Sequence, residues 1–261
     1  HELKQYFDSM TAYVFGAFLL LFIGIGSMLY NLQSAVSNFE FVLSFAAIVF
    51  VVIVPVLTMR TLSEERKQKT DQLLYALPIS TSQVILGKFG ALLVVFAIPL
   101  CFVALYPLLF SRFGEVYLPT AYGSLFAFFL LGAALMAVGV FLSSLTDNQG
   151  LAAGLGVGAI LLNYYSVSLS EYVSSTAVGS LIAFAVLTVC LVLIIRALTR
   201  NDILAISVGL VLLIGLVGVY LLDKTALEGL LPSLMKTLSL FSRFTVFVNG
   251  VFDLTGVVYY L

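Results

Sequence analysis

Residues 63–89 read SEERKQKTDQLLYALPISTSQVILGKF. Glu64, Glu65, Arg66, Lys67, Lys69 and Asp71 fall within eight residues, in a chain that is only 10% charged. A charge inside hydrocarbon is expensive, so this cluster must lie outside a bilayer, and whatever crosses one must lie to either side of it. The uncharged stretches between successive charges therefore locate the spans, since an apolar helix needs about 20 residues to cross. Outward from the cluster, seven windows each hold at least 19 uncharged residues: Asp8 to Glu40, Glu40 to Arg60, Lys88 to Arg112, Glu115 to Asp147, Asp147 to Glu171, Glu171 to Arg196, and Asp202 to Asp223. They predict seven membrane helices, centred near Phe22, Ile48, Ile98, Leu131, Gly158, Val186 and Leu212.

Composition agrees. The chain is 62% hydrophobic with a mean hydropathy of +1.16, whereas soluble domains are roughly half apolar and about a quarter charged. A membrane barrel would show short alternating strands, and the continuous Leu, Val, Ala and Gly runs here are helical in character. The predicted class is an all-α polytopic membrane protein forming one transmembrane domain over residues 1–261. An eighth apolar run, LTGVVYYL, opens after Asp253 and ends at Leu261, too short to cross. That truncated run, and His1 where an initiator methionine would stand, predict a chain that continues beyond both ends. The first window is no secretory signal, lacking a basic start and a small-residue cleavage site. A net charge of -1 implies no nucleic-acid partner.

Lys and Arg concentrate in cytoplasmic loops near span ends. With the N-terminus inside, Lys4, Arg60, Arg66, Lys67, Lys69, Lys88, Arg196 and Arg200 are cytoplasmic, against Arg112, Lys224, Lys236 and Arg243 outside. Eight against four favours this orientation in a cell membrane. Residues 1–10 set Leu3, Tyr6, Phe7 and Met10 against Glu2, Lys4, Gln5 and Asp8, which predicts a short helix lying on the inner leaflet. On the outside, residues 223–254 carry Leu227, Leu230, Leu231, Leu234, Leu238 and Phe241 at helical spacing, the pattern of an amphipathic or re-entrant segment.

The cytoplasmic loop, residues 60–83, carries the most information. Glu64 and Glu65 precede Lys67 and Lys69 by helical steps, so the second span runs out of the membrane as a solvated helix with weak ion pairs. Thr70 and Asp71 suit the start of a new short helix. Leu73, Leu74 and Leu77 give that helix an apolar face, and Pro78 ends it. Ser80, three residues before Gln83, matches a capping box and starts the third span. A charged topology anchor and a docking element are both compatible with this pattern.

MRTLSEERKQKTDQLLYALPISTSQVILGKF resembles the signature loop of ABC-2 type permeases, especially the branch related to the gliding-associated GldF permease. HELKQYFDSMTAYVF, SSLTDNQG and SLFSRFTVFVNGVFDLTGVVYYL are similar to family segments in the same order and bracket nearly the whole chain. The resemblance implies the transmembrane subunit of an ATP-binding cassette exporter, driven by a separate ATPase subunit. It implies further a second permease subunit, as homo- or hetero-dimer, and in some systems an extracytoplasmic auxiliary protein. By the same resemblance Glu64, Glu65, Arg66 and Lys67 correspond to the charged helix end, Thr70 to Leu77 to the coupling helix that rests on the ATPase, and Pro78 to its stop. Residues 2–10 correspond to the family's connecting helix. A minimal permease of this kind has six spans, so the helices near Val186 and Leu212 are an addition.

The chain carries no nucleotide or catalytic motif of its own. Gly87-Lys88 is no phosphate loop, because Ser82 stands where a glycine is needed and Phe89 replaces the Ser or Thr. ATP and Mg would be bound by the partner ATPase. One His and two Cys within spans, Cys101 and Cys190, offer neither a metal set nor a base for a nucleophilic Ser. Gly150, Gly154 and Gly158 recur every four residues as a ridge for close helix packing, within the subunit or across a dimer. Asn163, Tyr164 and Tyr165 are the most polar group deep in the fifth span, suited to a pathway or to interfacial anchoring. Two other functions compete with the permease: an ion-coupled secondary transporter, disfavoured because no window contains a charge, and a non-transporting membrane assembly factor.

Overall fold

The computed structural model describes residues 2–68, 80–199 and 201–261. The chain is all helical among these residues, and six helices are long and apolar enough to cross a membrane, with a bent pair making a seventh. Each corresponds to one of the windows delimited by charge, although the second runs on to Glu65 and the third begins at Thr81, ahead of Lys88. In chain order the elements are α1 (Glu2–Asp8), α2 (Met10–Ser27) continuing as a π-helix (Met28–Gln33), α3 (Glu40–Ala47), α4 (Phe50–Thr58), α5 (Ser63–Gln68), α6 (Thr81–Val103), α7 (Leu105–Phe110), α8 (Leu118–Ser143), α9 (Gln149–Tyr172), α10 (Ala177–Thr199), α11 (Asp202–Leu222), a 3₁₀ turn (Lys224–Leu227), α12 (Leu230–Thr237), α13 (Leu240–Val248) and α14 (Leu254–Tyr260). Helix α14 covers the last seven residues before Leu261.

The second span is the bent one. Helices α3 and α4 meet at 59° across Ile48 and Val49. No Pro or Gly stands at the bend; instead the backbone tightens to three-residue bonds, Val49 N–H to Ala46 O at 3.0 Å, Val51 to Ile48 at 3.1 Å and Val52 to Val49 at 3.0 Å. Such 3₁₀ turns change the helix axis without a breaker residue. The third span begins at the capping box: Ser80 Oγ accepts from Gln83 N at 3.3 Å and Gln83 Oε1 accepts from Ser80 N at 3.2 Å. It runs through Pro99 to Phe110.

Residues 1–164 and 240–261 form one compact unit. Phe50 sits at its centre, with ring centroids 5.6 Å from Phe96 and 4.6 Å from Phe128, while Phe15 packs on Phe96 at 5.9 Å and Phe244 on Phe128 at 5.8 Å. Without a large hydrophobic force between helices in lipid, close packing over small residues holds spans together. A Cβ at Gly132 would stand 2.3 Å from Phe96, one at Gly139 2.2 Å from Thr58 Oγ1, and one at Gly156 2.9 Å from Pro55. Span 4 thus receives span 3 at Gly132 and span 2 at Gly139, and span 5 receives span 2 at Gly156. The ridge expected at Gly150, Gly154 and Gly158 is not what makes this contact: a Cβ at Gly154 or Gly158 meets nothing within 4 Å. Gly156, on another face of the same helix, does.

The second unit is residues 165–239, inserted within the first. Its core is the antiparallel hairpin of α10 and α11, drawn close where a Cβ at Gly209 would lie 2.5 Å from Val192. Arg196 Nε pairs with Asp202 Oδ1 at 2.7 Å beside the turn, and Asn201 Oδ1 caps α11 by accepting from Leu204 N at 3.2 Å. Of the most apolar stretches of α10 and α11, only 6% and 11% are buried. Helices apolar on every side and this little buried are suited to lipid contact. Gly229, at φ +67°, ends the following turn and donates its N–H to Ser175 O at 2.9 Å.

The first unit closes across the insertion. Asn163 Oδ1 accepts from Leu240 N at 2.9 Å, Tyr164 meets the Phe241 ring edge-on at 4.9 Å, and Tyr260 donates its hydroxyl to Leu240 O at 2.6 Å. Asn163 therefore serves the start of α13, satisfying a backbone donor that has no partner within its own helix.

Candidate functional site

Where the second span leaves the membrane, residues 59–65 are gripped by three other elements. The first grip comes from the end of α8. Ser143 is fully buried; its Oγ accepts from both Leu62 N and Ser63 N at 3.2 Å and donates to Met59 O at 3.2 Å. One hydroxyl so satisfies backbone groups freed where α4 ends and α5 has not begun. Ser63 adds a local bond from its own hydroxyl to Met59 O.

The second grip comes from α1. Tyr6, 9% exposed, shares a hydrogen bond with Thr61 Oγ1 at 3.0 Å, and Ser9 Oγ donates to Tyr6 O at 3.0 Å. Helix α1 also packs against α6. The third grip is ionic: Lys88 Nζ, on the first turns of span 3, bonds Glu65 Oε1. The Lys88 side chain is 3% exposed and that of Glu65 18%, which makes this pair far drier than a surface bridge. It ties the two arms of the loop together, 23 residues apart in sequence.

Between these grips lies a cavity of about 150 Å³. Each lining residue carries a polar group, among them Tyr6, Thr11, Thr61 and Arg60, the Glu65–Lys88 pair and Glu64. Arg60 is exposed, and its Nη1 donates to Thr11 Oγ1 at 3.5 Å.

Of the residues singled out in the sequence, Glu64, Glu65, Arg66 and Lys67 lie on α5. Thr70, Leu73, Leu74, Leu77 and Pro78 lie outside the described residues, as does the N-cap expected at Thr70. Lys69, the local partner expected for Glu65, lies outside the described residues; Glu65 does bond Lys88. The physical reason is burial, since a dry lysine at the start of span 3 needs a counter-charge more than an exposed one does. Tyr6, Thr61 and Ser143 escaped sequence reasoning. Only Ser143 left a trace, in the polar SSLTDNQG break after the fourth span.

Seven apolar spans, joined at one end by a loop whose roots are cross-tied to spans 3 and 4, define a multi-pass helical membrane protein. The family model described as ABC-2 family transporter protein matches residues 23–165, more than half the chain. The chain belongs to that family and is the permease component of an ABC transporter. The match stops at Tyr165, where the inserted unit begins. No curated protein and no solved structure matches the chain significantly.

Proposed function

We propose that this permease works as the membrane half of an exporter, with a separate ATPase docking on residues 70–78 of its cytoplasmic loop. The single observation that supports this best is the cross-tied root of that loop. Ser143, Tyr6 and Lys88 hold residues 59–65 to the start of the chain and to spans 3 and 4. A push on the loop cannot then be absorbed by fraying of the second helix; it must move the spans. Glu64, Glu65, Arg66 and Lys67 carry the helix toward the ATPase, Leu73, Leu74 and Leu77 present the apolar contact, and Pro78 ends it. ATP and Mg reside on the partner.

In this reading the N-terminus is cytoplasmic and the membrane is the plasma membrane, in keeping with the excess of Lys and Arg on that side. A second permease subunit completes the pathway, an extracytoplasmic auxiliary protein can join it, and the loop motif points to the GldF-related branch. Co-purification of the chain with the products of its neighbouring genes tests the proposal. The ATPase should copurify with the wild type and be lost on Leu73→Asp or Leu77→Asp, while both variants remain folded by circular dichroism. Transport by the isolated chain in vesicles without any ATPase would overturn it.

A further inference from the structure

The cavity at the root of the loop has a charge pattern that the coupling role leaves unused. Lys88 is spoken for by Glu65, so the pair contributes structure and little net field. The lining also carries Arg60 and Glu64, the second of which already has a partner. No ion pair engages Arg60 among the described residues; its one contact is the long bond to Thr11, whose hydroxyl hydrogen remains able to donate. A guanidinium beside a hydroxyl donor is suited to a phosphate oxygen. A carboxylate on the same lining disfavours a doubly charged monoester and suits a ligand that carries a cation with its phosphate. Every lining residue carries a hydroxyl or a charged group, so a headgroup finds hydrogen-bonding partners there. Its position at the polar ends of spans 1, 2 and 3, beside the amphipathic α1, is the level at which lipid headgroups lie.

We propose that this cavity binds the zwitterionic phosphoethanolamine headgroup of a membrane lipid, the phosphate on Arg60 and Thr11 and the ammonium on Glu64. An ammonium donates three hydrogen bonds and can share a carboxylate that already has another partner, because a carboxylate accepts at about four lone-pair sites. A choline group cannot donate, and a glycerol headgroup brings no cation. The site stands independently of any ATPase or transport activity.

The full chain in nanodiscs of mixed phosphatidylethanolamine, phosphatidylcholine and phosphatidylglycerol, released into native mass spectrometry, provides the test. The wild type should retain phosphatidylethanolamine in preference to the other two, with Arg60→Gln weakening retention about tenfold. Thr11→Val should weaken it in the same direction, which keeps the test valid should Arg60→Gln fail to fold. Arg112→Gln, in a different loop, should leave retention unchanged. Soluble glycerophosphoethanolamine, a singly charged diester like the lipid headgroup, should compete at millimolar concentration, which assigns recognition to the headgroup. Equal retention by wild type and both site variants overturns the proposal, as does an equal loss in Arg112→Gln. Preference for phosphatidylglycerol, or no competition by soluble glycerophosphoethanolamine, overturns it as well.

Discussion

Glu65→Gln removes the negative charge from a pair whose lysine is 3% exposed, while keeping the shape of the side chain almost unchanged. Breaking a buried ion pair from one side costs roughly 3–5 kcal/mol, because the remaining charge is left dry and uncompensated. Glu65 is 18% exposed, so water relieves part of that cost, and a value near the lower limit, about 3 kcal/mol, is expected. Lys88→Met should cost less than Glu65→Gln, since the carboxylate it leaves behind is the better hydrated partner. The double variant Glu65→Leu/Lys88→Met removes both charges and should recover most of the stability, as apolar replacement of a whole buried pair is often neutral. Reversible unfolding in mixed micelles, read as a double-mutant cycle, gives the coupling between the two sites. Hydrogen exchange at residues 59–65 should rise in the single variants and return in the double. A cost below about 0.5 kcal/mol for Glu65→Gln, the range of an exposed pair, or strict additivity in the cycle, would refute the argument.

Three further outcomes follow from the geometry. Ser143→Ala leaves the Leu62 and Ser63 N–H groups without their acceptor and should cost about 1–3 kcal/mol, seen as faster exchange of those two amides. Gly139→Ala drives a Cβ to 2.2 Å from Thr58 Oγ1 and should destabilise by about 1–3 kcal/mol, whereas Gly154→Ala, with nothing within 4 Å, should leave the thermal midpoint unchanged. At the half-buried Asp253, hydrogen bonds from the Thr255 hydroxyl and backbone N–H hold the carboxyl below its ordinary range. A lowered native pKa stabilises the fold fully above the unfolded value, and that contribution is lost as pH falls through the lowered one. Thr255→Val should therefore move the Asp253 titration upward, measured by carbon NMR of labelled aspartate.

The spans were legible because charge and hydrocarbon are incompatible whatever the tertiary arrangement, so the gaps between charges had to be the crossings. The capping box at Ser80 and Gln83 was legible for a similar reason, as both partners lie within one helical turn. Reading failed where the partner was distant. Nothing in SEERKQ points to Lys88, and a period of four drew attention to Gly154 when the close neighbour, Pro55, meets Gly156. The bend at Ile48 and Val49 had no signal at all, being made by three-residue turns among β-branched residues rather than by a breaker.

The amino-acid order by itself determined the class of protein, the number of crossings and the position of the charged loop between spans 2 and 3, since these follow from the cost of placing each residue type in lipid. Tertiary structure alone decided which span meets which, that span 2 breaks, and that the loop's root is held by Ser143, Tyr6 and Lys88. Those outcomes depend on groups brought together from 55 to 84 residues apart for Tyr6–Thr61 and Met59–Ser143. Contacts of that range carry no local periodicity. They form because each buried hydroxyl, amide and charge must find a partner, and only the packed helices settle which one is within reach.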